Sequence, residues 1–287
     1  MSSHSVRSIV PAAALAAMVS LVSAVAFAQA HATTTPAKTW QPSRTADGQP
    51  NIEGYWDEKN NITTYSIETG RDPRHTAITG QAPDEIRAGT GRPIAEPSDG
   101  RIPYQPWAKA VQQELIANHM KPSKPAFLDP VVRGFLNGVP RINYQSPIQI
   151  LQQPGYVLFL YEYHHAYRLV PIDARPHLPN NLKLWMGDSR GHWEGNTLVV
   201  DVTNNNDQTW FDVIGDFHTD AMHLTERWTF VDADRIDYTV TVDDPKAFTT
   251  PMKLAFTLGR NKQKGYEHIE TAVFEGNRSP DVIFRGR

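Results

Sequence analysis

The sequence predicts a mainly β protein whose antiparallel strands form a barrel or a tightly curved sheet. Short segments that alternate apolar and polar side chains follow one another from residue 147 onward. Turn residues such as Pro154-Gly155 and Gly195-Asn196 separate neighbouring segments, as expected for hairpins. No helical crossover lies between these segments, so the sheet should be antiparallel and should curve or close, which limits its exposed edges.

Residues 1–32 have the layout of a cleaved secretory signal peptide. A weakly basic front precedes an Ala/Val/Leu-rich run at 9–27, and small-x-small cleavage sites follow. The alternative is an uncleaved membrane anchor, which the alanine content and Pro11 disfavour. We therefore expect a periplasmic or secreted protein. No second apolar run is long enough to cross a bilayer, so no integral membrane segment is expected in the mature chain.

Composition excludes several functional classes. The 287 residues include no cysteine, so disulfides and a thiol nucleophile are excluded. The net charge is −3 and no basic run occurs, so nucleic acid is not an expected partner. A glycine-rich phosphate loop and a GxSxG serine motif are also absent from the sequence, and we expect no cofactor.

The sequence pattern predicts three parts of the chain. The signal peptide at 1–32 precedes an extended Pro-rich arm at 33–105, and a helix plus an antiparallel β-barrel domain occupies 106–287. The helix is predicted over 106–120, where Trp107, Val111, Leu115 and Ile116 recur at helical spacing. It should cover one end or face of the sheet.

Eight to nine strands are expected in the barrel domain, mostly joined as hairpins. They are predicted at 148–152, 156–163, 165–172, 190–194, 197–203, 222–231, 235–243, 253–258 and 266–274.

The hairpin around Gly195 carries the densest run of polar side chains. Asp188, Arg190, His192 and Glu194 fall within seven residues. A hairpin normally has one apolar and one solvated face, so this run forms either a solvated edge or the wall of a polar pocket.

Glu226 is the most unusual carboxylate in the pattern. Alternation places it in one row with Met222, Leu224, Trp228 and Phe230, so it should be surrounded by apolar side chains. Such a carboxylate either has a raised pKa and acts as a pocket acid or base, or it has a cationic partner. The second alternative is a cross-strand ion pair with an arginine.

A second polar group follows the apolar segment 156–161. Glu162 lies close in sequence to His165 and Arg168, with Tyr163 and His164 between them. If extended, the adjacent histidines should point to opposite faces of the sheet. The group forms either a Glu/His acid–base pair or a hydrogen-bond network at the rim of the core.

A third group lies at 218–223. His218 and Asp220 share a face if this segment is extended, and His223 follows. No HExxH spacing or paired cysteine supports a metal site, so none is predicted. Trp210, just after a polar loop, is expected to cap a cavity.

The chain resembles a large group of exported bacterial proteins of unassigned function. The segment Trp185-Met186-Gly187-Asp188-Ser189-Arg190-Gly191-His192-Trp193-Glu194-Gly195 matches the hairpin motif W-x-G-D-S-R-G-x-W-E-G of that group. The resemblance covers most of the mature chain and implies an exported β-rich domain, without naming a substrate. The group's usual Asp after the last motif glycine is Asn196 here, which indicates a turn residue rather than a catalytic acid.

These observations predict a lipocalin-like barrel with room for one small ligand. We expect a cofactor-free acid–base enzyme of the dehydratase, isomerase or hydrolase type, acting on a partly apolar molecule such as a terpenoid, steroid or aromatic metabolite. The alternatives are a periplasmic small-molecule binding protein without turnover and a structural envelope module. The expected catalytic residues are Glu226 or Glu162 as base, His165 or His223 as its partner, and Arg190 as a stabiliser of negative charge. The expected substrate-binding residues are Tyr163, Arg168, Asp188, His192, Trp210, His218 and Asp220.

Overall fold

The fold is mainly β, as predicted. A computed structural model describes residues 40–60, 62, 65–68, 93–269 and 271, so the predicted signal peptide lies outside the described residues. One antiparallel sheet dominates this part of the chain and curves until it is nearly closed into a barrel. Two α-helices accompany it there, α1 (Pro106–Asn118) and α2 (Arg141–Gln145).

The sheet has ten strands. In chain order they are β1 (Gly54–Glu58), β2 (Ile94–Glu96), β3 (Ile148–Gln153), β4 (Tyr156–Tyr161), β5 (Tyr167–Pro171), β6 (Asp188–Glu194), β7 (Thr197–Thr203), β8 (His223–Asp232), β9 (Arg235–Asp243) and β10 (Met252–Arg260).

Hairpins account for most of the strand order. The sheet runs β5-β4-β3-β1-β10-β9-β8-β7-β6, and β2 pairs with β10 beside this path. The exception is β1, which lies between β3 and β10 and pairs antiparallel with both. Its Trp56 is fully buried. The segment 33–105, expected to be an extended arm, therefore contributes β1 and β2 to the sheet.

The interior of the barrel is filled by large side chains. The predicted alternation in β8 is confirmed: Leu224, Glu226 and Trp228 are buried, whereas His223 and Arg227 face outward. Fully buried rings from four different strands meet in this core, namely Trp56, Phe159, Trp228 and Tyr238. Trp228 lies 4.7 Å from both Phe159 and Tyr238 between ring centroids.

The end strands β5 and β6 face each other across a seam. No backbone pairing joins them among the described strands. Side chains close the seam at one point, where a Cβ atom on Gly191 would lie only 2.8 Å from Ile172 Cδ1 and Val170 Cγ1. A larger residue there would force these side chains to shift, because the two strands approach closely at this point.

Several predicted boundaries were wrong. The strand predicted at 156–163 ends at Tyr161, and the next begins at Tyr167, because His164 and His165 both have positive φ and form a turn. Residues 266–269 are not a strand; the Tyr266 and His268 rings instead pack against Tyr55. The remainder of that predicted strand is outside the described residues except for an isolated bridge at Thr271.

Helix α1 is present but buries a different face from the predicted one. Trp107 and Val111 are exposed, whereas Ala108 and Gln112 are fully buried. The Gln112 side chain turns inward because its amide donates to carboxylates beneath the helix. No helix in the described part of the chain combines the length and apolar character needed to span a bilayer.

Candidate functional site

A cleft of about 410 Å³ opens at the seam between β5 and β6. Its walls combine apolar and aromatic side chains with a small number of polar ones, the usual composition of a small-molecule site. Phe135 stacks on Trp185 in one wall, with ring centroids 4.7 Å apart. The lining residues are Leu136, His165, Ala166, Tyr167, Arg168, Leu169, Leu184, Trp185, Met186, Gly187, Asp188 and Ser189.

Arg168 forms the inner side of this seam cleft. It projects from β5 into the barrel, where its guanidinium holds Glu226 with Nη2–Oε2 and Nη1–Oε1 distances of 2.5 and 3.2 Å. The same Nη2 donates to Ser189 Oγ at 3.0 Å. Because Ser189 accepts this bond, its own hydroxyl hydrogen is left to donate to another group.

Glu226 lies behind Arg168 and is fully buried. Besides the arginine, its Oε1 accepts hydrogen bonds from Tyr238 Oη at 2.8 Å and Asn143 Nδ2 at 2.7 Å. Tyr161 Oη donates to Asn143 Oδ1 at 2.7 Å and extends the network. Of the two alternatives for Glu226, the geometry is that of an ion pair with an arginine.

The protonation states in this network follow from burial and charge. Burial raises the pKa of Tyr161 to about 12 and holds the pKa of Tyr238 well above its usual value, so both phenols act as donors. Burial alone would lower the pKa of Arg168, but the neighbouring Glu226 carboxylate raises it. The guanidinium therefore stays charged, and its carboxylate partner is held in place rather than offered to a substrate.

A second network runs along the outer face of the sheet. His177 lies between two carboxylates, with Nδ1 2.8 Å from Asp188 Oδ2 and Nε2 2.7 Å from Asp201 Oδ2. His223 Nε2 lies 2.6 Å from Asp201 Oδ1, and Arg190 donates to Asp188 Oδ1 at 2.6 Å. The result is a continuous chain from Arg190 through Asp188, His177 and Asp201 to His223.

The strand register explains this chain. Arg190 pairs with Asp201 across β6 and β7, and β8 follows with His223 on the same outer face. The hydrogen bond to Asp201 raises the pKa of His223, and the hydrogen bond from His223 lowers the pKa of Asp201. This end of the chain is therefore an imidazolium–carboxylate pair at mildly acidic pH.

The two networks meet at neighbouring residues of the seam cleft. Ser189 belongs to the inner network and Asp188 to the outer one, because consecutive residues of a strand point to opposite faces. Both line the cleft where β6 begins. Residues of both networks therefore lie side by side in the lining of the cleft.

His165 is the expected catalytic histidine that lines the cleft. It is exposed, and its backbone φ of 50° places it in the left-handed region. Its neighbour His164 turns inward, where Nδ1 lies 2.8 Å from Asn137 Oδ1. Burial lowers the pKa of His164. The adjacent histidines have different environments, as expected, but because of a turn rather than strand alternation.

Glu162 is separated from this site. It accepts a hydrogen bond from Tyr266 Oη at 2.9 Å, within a group of aromatic rings that includes Tyr55. Tyr163, next along the chain, is partly exposed and bridges to Thr271. Neither residue lines the cleft.

The remaining predicted site residues are dispersed. His192 is exposed and lies 3.2 Å from Glu194. Trp210 is buried and bridges to Phe217, and His218 is buried with Nε2 2.6 Å from Thr209 Oγ1. Asp220 accepts a hydrogen bond from Lys246 at the surface. The structure therefore brings together only Arg168, Asp188 and His165 at the cleft, with Arg190 and His223 connected through Asp188.

Sequence reasoning missed several residues of the two networks. Asn143 lies on α2, a five-residue helix that carries no strong sequence signal, and Tyr238 lies in the buried row of β9 with Ile236 and Val240, where the pattern indicates a core residue. The sequence leaves the loop 173–177 as either a solvated turn or an anion-holding pair of Arg175 and His177, whereas the structure places His177 between the carboxylates of Asp188 and Asp201. Trp185 could have been identified from the sequence, because it is the first residue of the hairpin motif.

No group of three or more His, Cys, Asp or Glu side chains within the described ranges has the arrangement of a metal site. No protein-family model matches the chain, and no curated protein matches it.

Proposed function

We propose that the protein binds a partly apolar small molecule in the seam cleft. The observation that carries the proposal is the lining of this cleft, which combines the aromatic Trp185 with the polar pair Arg168 and Ser189. Exposed apolar side chains continue around it, including Tyr167 and Leu169. Contiguous exposed apolar surface with a few fixed polar groups is typical of ligand sites.

The polar groups limit the chemistry of the ligand. Ser189 accepts from Arg168 and so directs its hydroxyl hydrogen to an acceptor. Arg168 is already paired with Glu226, so the inner side of the cleft offers hydrogen bonds rather than an uncompensated positive charge. A flat apolar body with a neutral acceptor at one end, such as a carbonyl oxygen, fits these features.

The test uses a planar aromatic ketone, 2-acetylnaphthalene, and the apolar-site probe 1-anilinonaphthalene-8-sulfonate. Titration of the purified protein should give saturable changes in fluorescence. We expect Trp185→Leu and Ser189→Ala to weaken binding of at least one probe, whereas Trp107→Leu on α1 leaves it unchanged. Trp107 is the matched control because it is half-exposed and lies outside the cleft. Binding of neither probe, or equal effects of W185L and W107L, would contradict the proposal.

Acid–base turnover at the same cleft is a second candidate, and His165 is the observation that favours it. His165 lines the cleft together with Ser189 and Asp188, and histidine is the side chain most often used as a general acid or base. Glu226 is a weaker candidate for the base because four hydrogen bonds hold its carboxylate.

Turnover and simple binding give different results with one variant. The wild type and His165→Asn are each incubated with a periplasmic metabolite extract, and the products are compared by mass spectrometry. An enzyme predicts that the variant retains ligand and makes no product. A binding protein predicts that both proteins retain the same unchanged ligand.

A further inference from the structure

We infer that a second pocket, on the outer face of the sheet, binds a small molecule through a phosphate or carboxylate group. This pocket has a volume of about 290 Å³, and we call it the basic pocket. Its chemistry-bearing lining residues are Asn180, Lys183, Thr203, Asp220, His223 and Lys246. The volume corresponds to about ten water molecules, so the pocket has room for more than a bare ion.

Two ammonium groups of the basic pocket already converge on one carboxylate. Lys246 Nζ donates to Asp220 Oδ1 at 2.7 Å, and Lys183 Nζ lies 4.0 Å from Asp220 Oδ2. Lys183 also donates to the Asp220 carbonyl oxygen at 2.7 Å. The spacing of the two lysines therefore suits an oxyanion, and the chain's own Asp220 occupies part of that space.

Donors remain in the pocket after these contacts. Each lysine has three N–H groups, and the described contacts use only part of them. His223 uses Nε2 for Asp201, and no described residue hydrogen-bonds to its Nδ1. Two lysines face one carboxylate in the lining, and their remaining N–H groups can donate to a bound oxyanion.

Nearby carboxylates outside the lining are already occupied. Asp244, which follows β9, is fully buried and accepts bonds from Thr219 and from the backbone of Lys246 and Ala247. Asp201 is bound to both His177 and His223. No described hydrogen bond or ion pair joins Asp201 or Asp244 to either ammonium group. The pKa of Lys246 is raised by its hydrogen bond to Asp220, and the charges of Asp220, Asp244 and Asp207 add to this.

The main structural alternative is that the lysines only fix the Asp220 loop. The substitution Asp220→Asn separates the two explanations, because it removes the competing carboxylate while leaving both lysines in place. An anion site should then bind its ligand more tightly. If the lysines only hold the loop in place, the substitution releases them and the affinity for the anion does not rise.

The experiment is a titration with inorganic phosphate, and separately with acetate, followed by backbone amide chemical shifts. Chloride keeps the ionic strength constant so that general screening does not change. We expect saturable shifts at residues 180–183, 220–223 and 246. Lys246→Met should weaken phosphate binding about tenfold, the loss expected for one charge-assisted hydrogen bond. Asp220→Asn should strengthen it severalfold.

Lys253→Met is the matched control, because Lys253 is an exposed lysine on β10 that also pairs with a carboxylate, 3.6 Å from Glu96. It should leave phosphate binding unchanged. The inference is overturned if neither anion gives saturable shifts at the basic pocket, if Asp220→Asn binds phosphate no more tightly than the wild type, or if Lys253→Met weakens binding as much as Lys246→Met.

Discussion

Arg168 on β5 and Glu226 on β8 form a buried ion pair across the interior of the barrel, with 2.5 Å between Nη2 and Oε2. Their side chains are 2% and 0% exposed, and their strands are not neighbours in the sheet. The pair therefore joins β5 to β8 through the interior of the barrel and across the seam side of the sheet. It also holds Arg168 at the inner side of the seam cleft, so fold stability and the shape of the candidate site depend on the same contact.

Arg168→Met should lower the free energy of unfolding by about 3–5 kcal/mol, because it leaves Glu226 as an unpaired buried charge. The double variant Arg168→Met/Glu226→Gln should lose much less than the sum of the single losses, since no uncompensated charge remains. Chemical denaturation measures the free energy of unfolding of Arg168→Met, of Glu226→Gln and of the double variant. Arg235→Met breaks an exposed pair with Asp237 and should change little. Additive losses in the double variant would contradict the role of the ion pair.

Asp212, which is fully buried close to Asp216, makes stability depend on pH. Burial, together with the nearby Asp216 charge, holds the pKa of Asp212 well above its usual value. The folded protein therefore keeps a proton that the unfolded chain releases above about pH 4. Stability from this proton is complete below that pH and is lost as the pH rises through the folded-state pKa.

Asp216→Asn should reduce this loss. The amide keeps an oxygen to accept from Gln112 and removes the like charge beside Asp212. Denaturation between pH 4 and pH 8 should show a smaller decrease in stability for the variant than for the wild type. An equal decrease in both proteins would show that the Asp216 charge does not control the Asp212 proton.

The histidines should titrate in a defined order in NMR experiments. His223 should titrate above the usual value near 6.5 because Asp201 stabilises its charged form. His164 and His218 should titrate below it because both are buried. Asp201→Asn should lower the pKa of His223 and leave that of His218 unchanged.

His223 also contributes to stability in a defined pH window. Because its folded-state pKa is raised, the contribution is complete below about pH 6.5 and is lost as the pH rises through the folded-state value. The side chain is about half exposed, so solvent screening keeps the effect small. His223→Gln should therefore cost more stability at pH 5.5 than at pH 8.5. A cost that is equal at both pH values would contradict this pairing.

Gly191→Ala should destabilise the seam by about 1–3 kcal/mol, the usual cost of overpacking. A Cβ atom there would contact Val170 and Ile172 at 2.8 Å. Adding Val170→Ala creates space, so the double variant should recover part of the loss attributed to Gly191→Ala. A double-mutant cycle measures the coupling, and a coupling energy near zero would mean that β5 and β6 do not meet at this position.

Local pattern alone was sufficient for much of the β structure. The alternation in β8 placed Glu226 inside, and Gly195-Asn196 marked the β6–β7 turn, because the period of two and the turn preferences are properties of the nearby backbone. One of the two alternatives that the pattern predicted for Glu226 was an ion pair with an arginine. The pattern did not identify Arg168, which lies 58 residues away in sequence.

Tertiary structure alone decided the insertion of β1 between β3 and β10, the buried face of α1 and the assembly of the two polar networks. Gln112 of α1 turns inward because its amide donates to Asp216 and Glu68 beneath the helix. No periodic pattern in the sequence predicts that contact. His177 likewise reaches Asp188 and Asp201 only once β6 and β7 have paired. Alternation fixes which face of a strand a side chain occupies, whereas the partner it meets there depends on which distant segments the folded chain brings alongside.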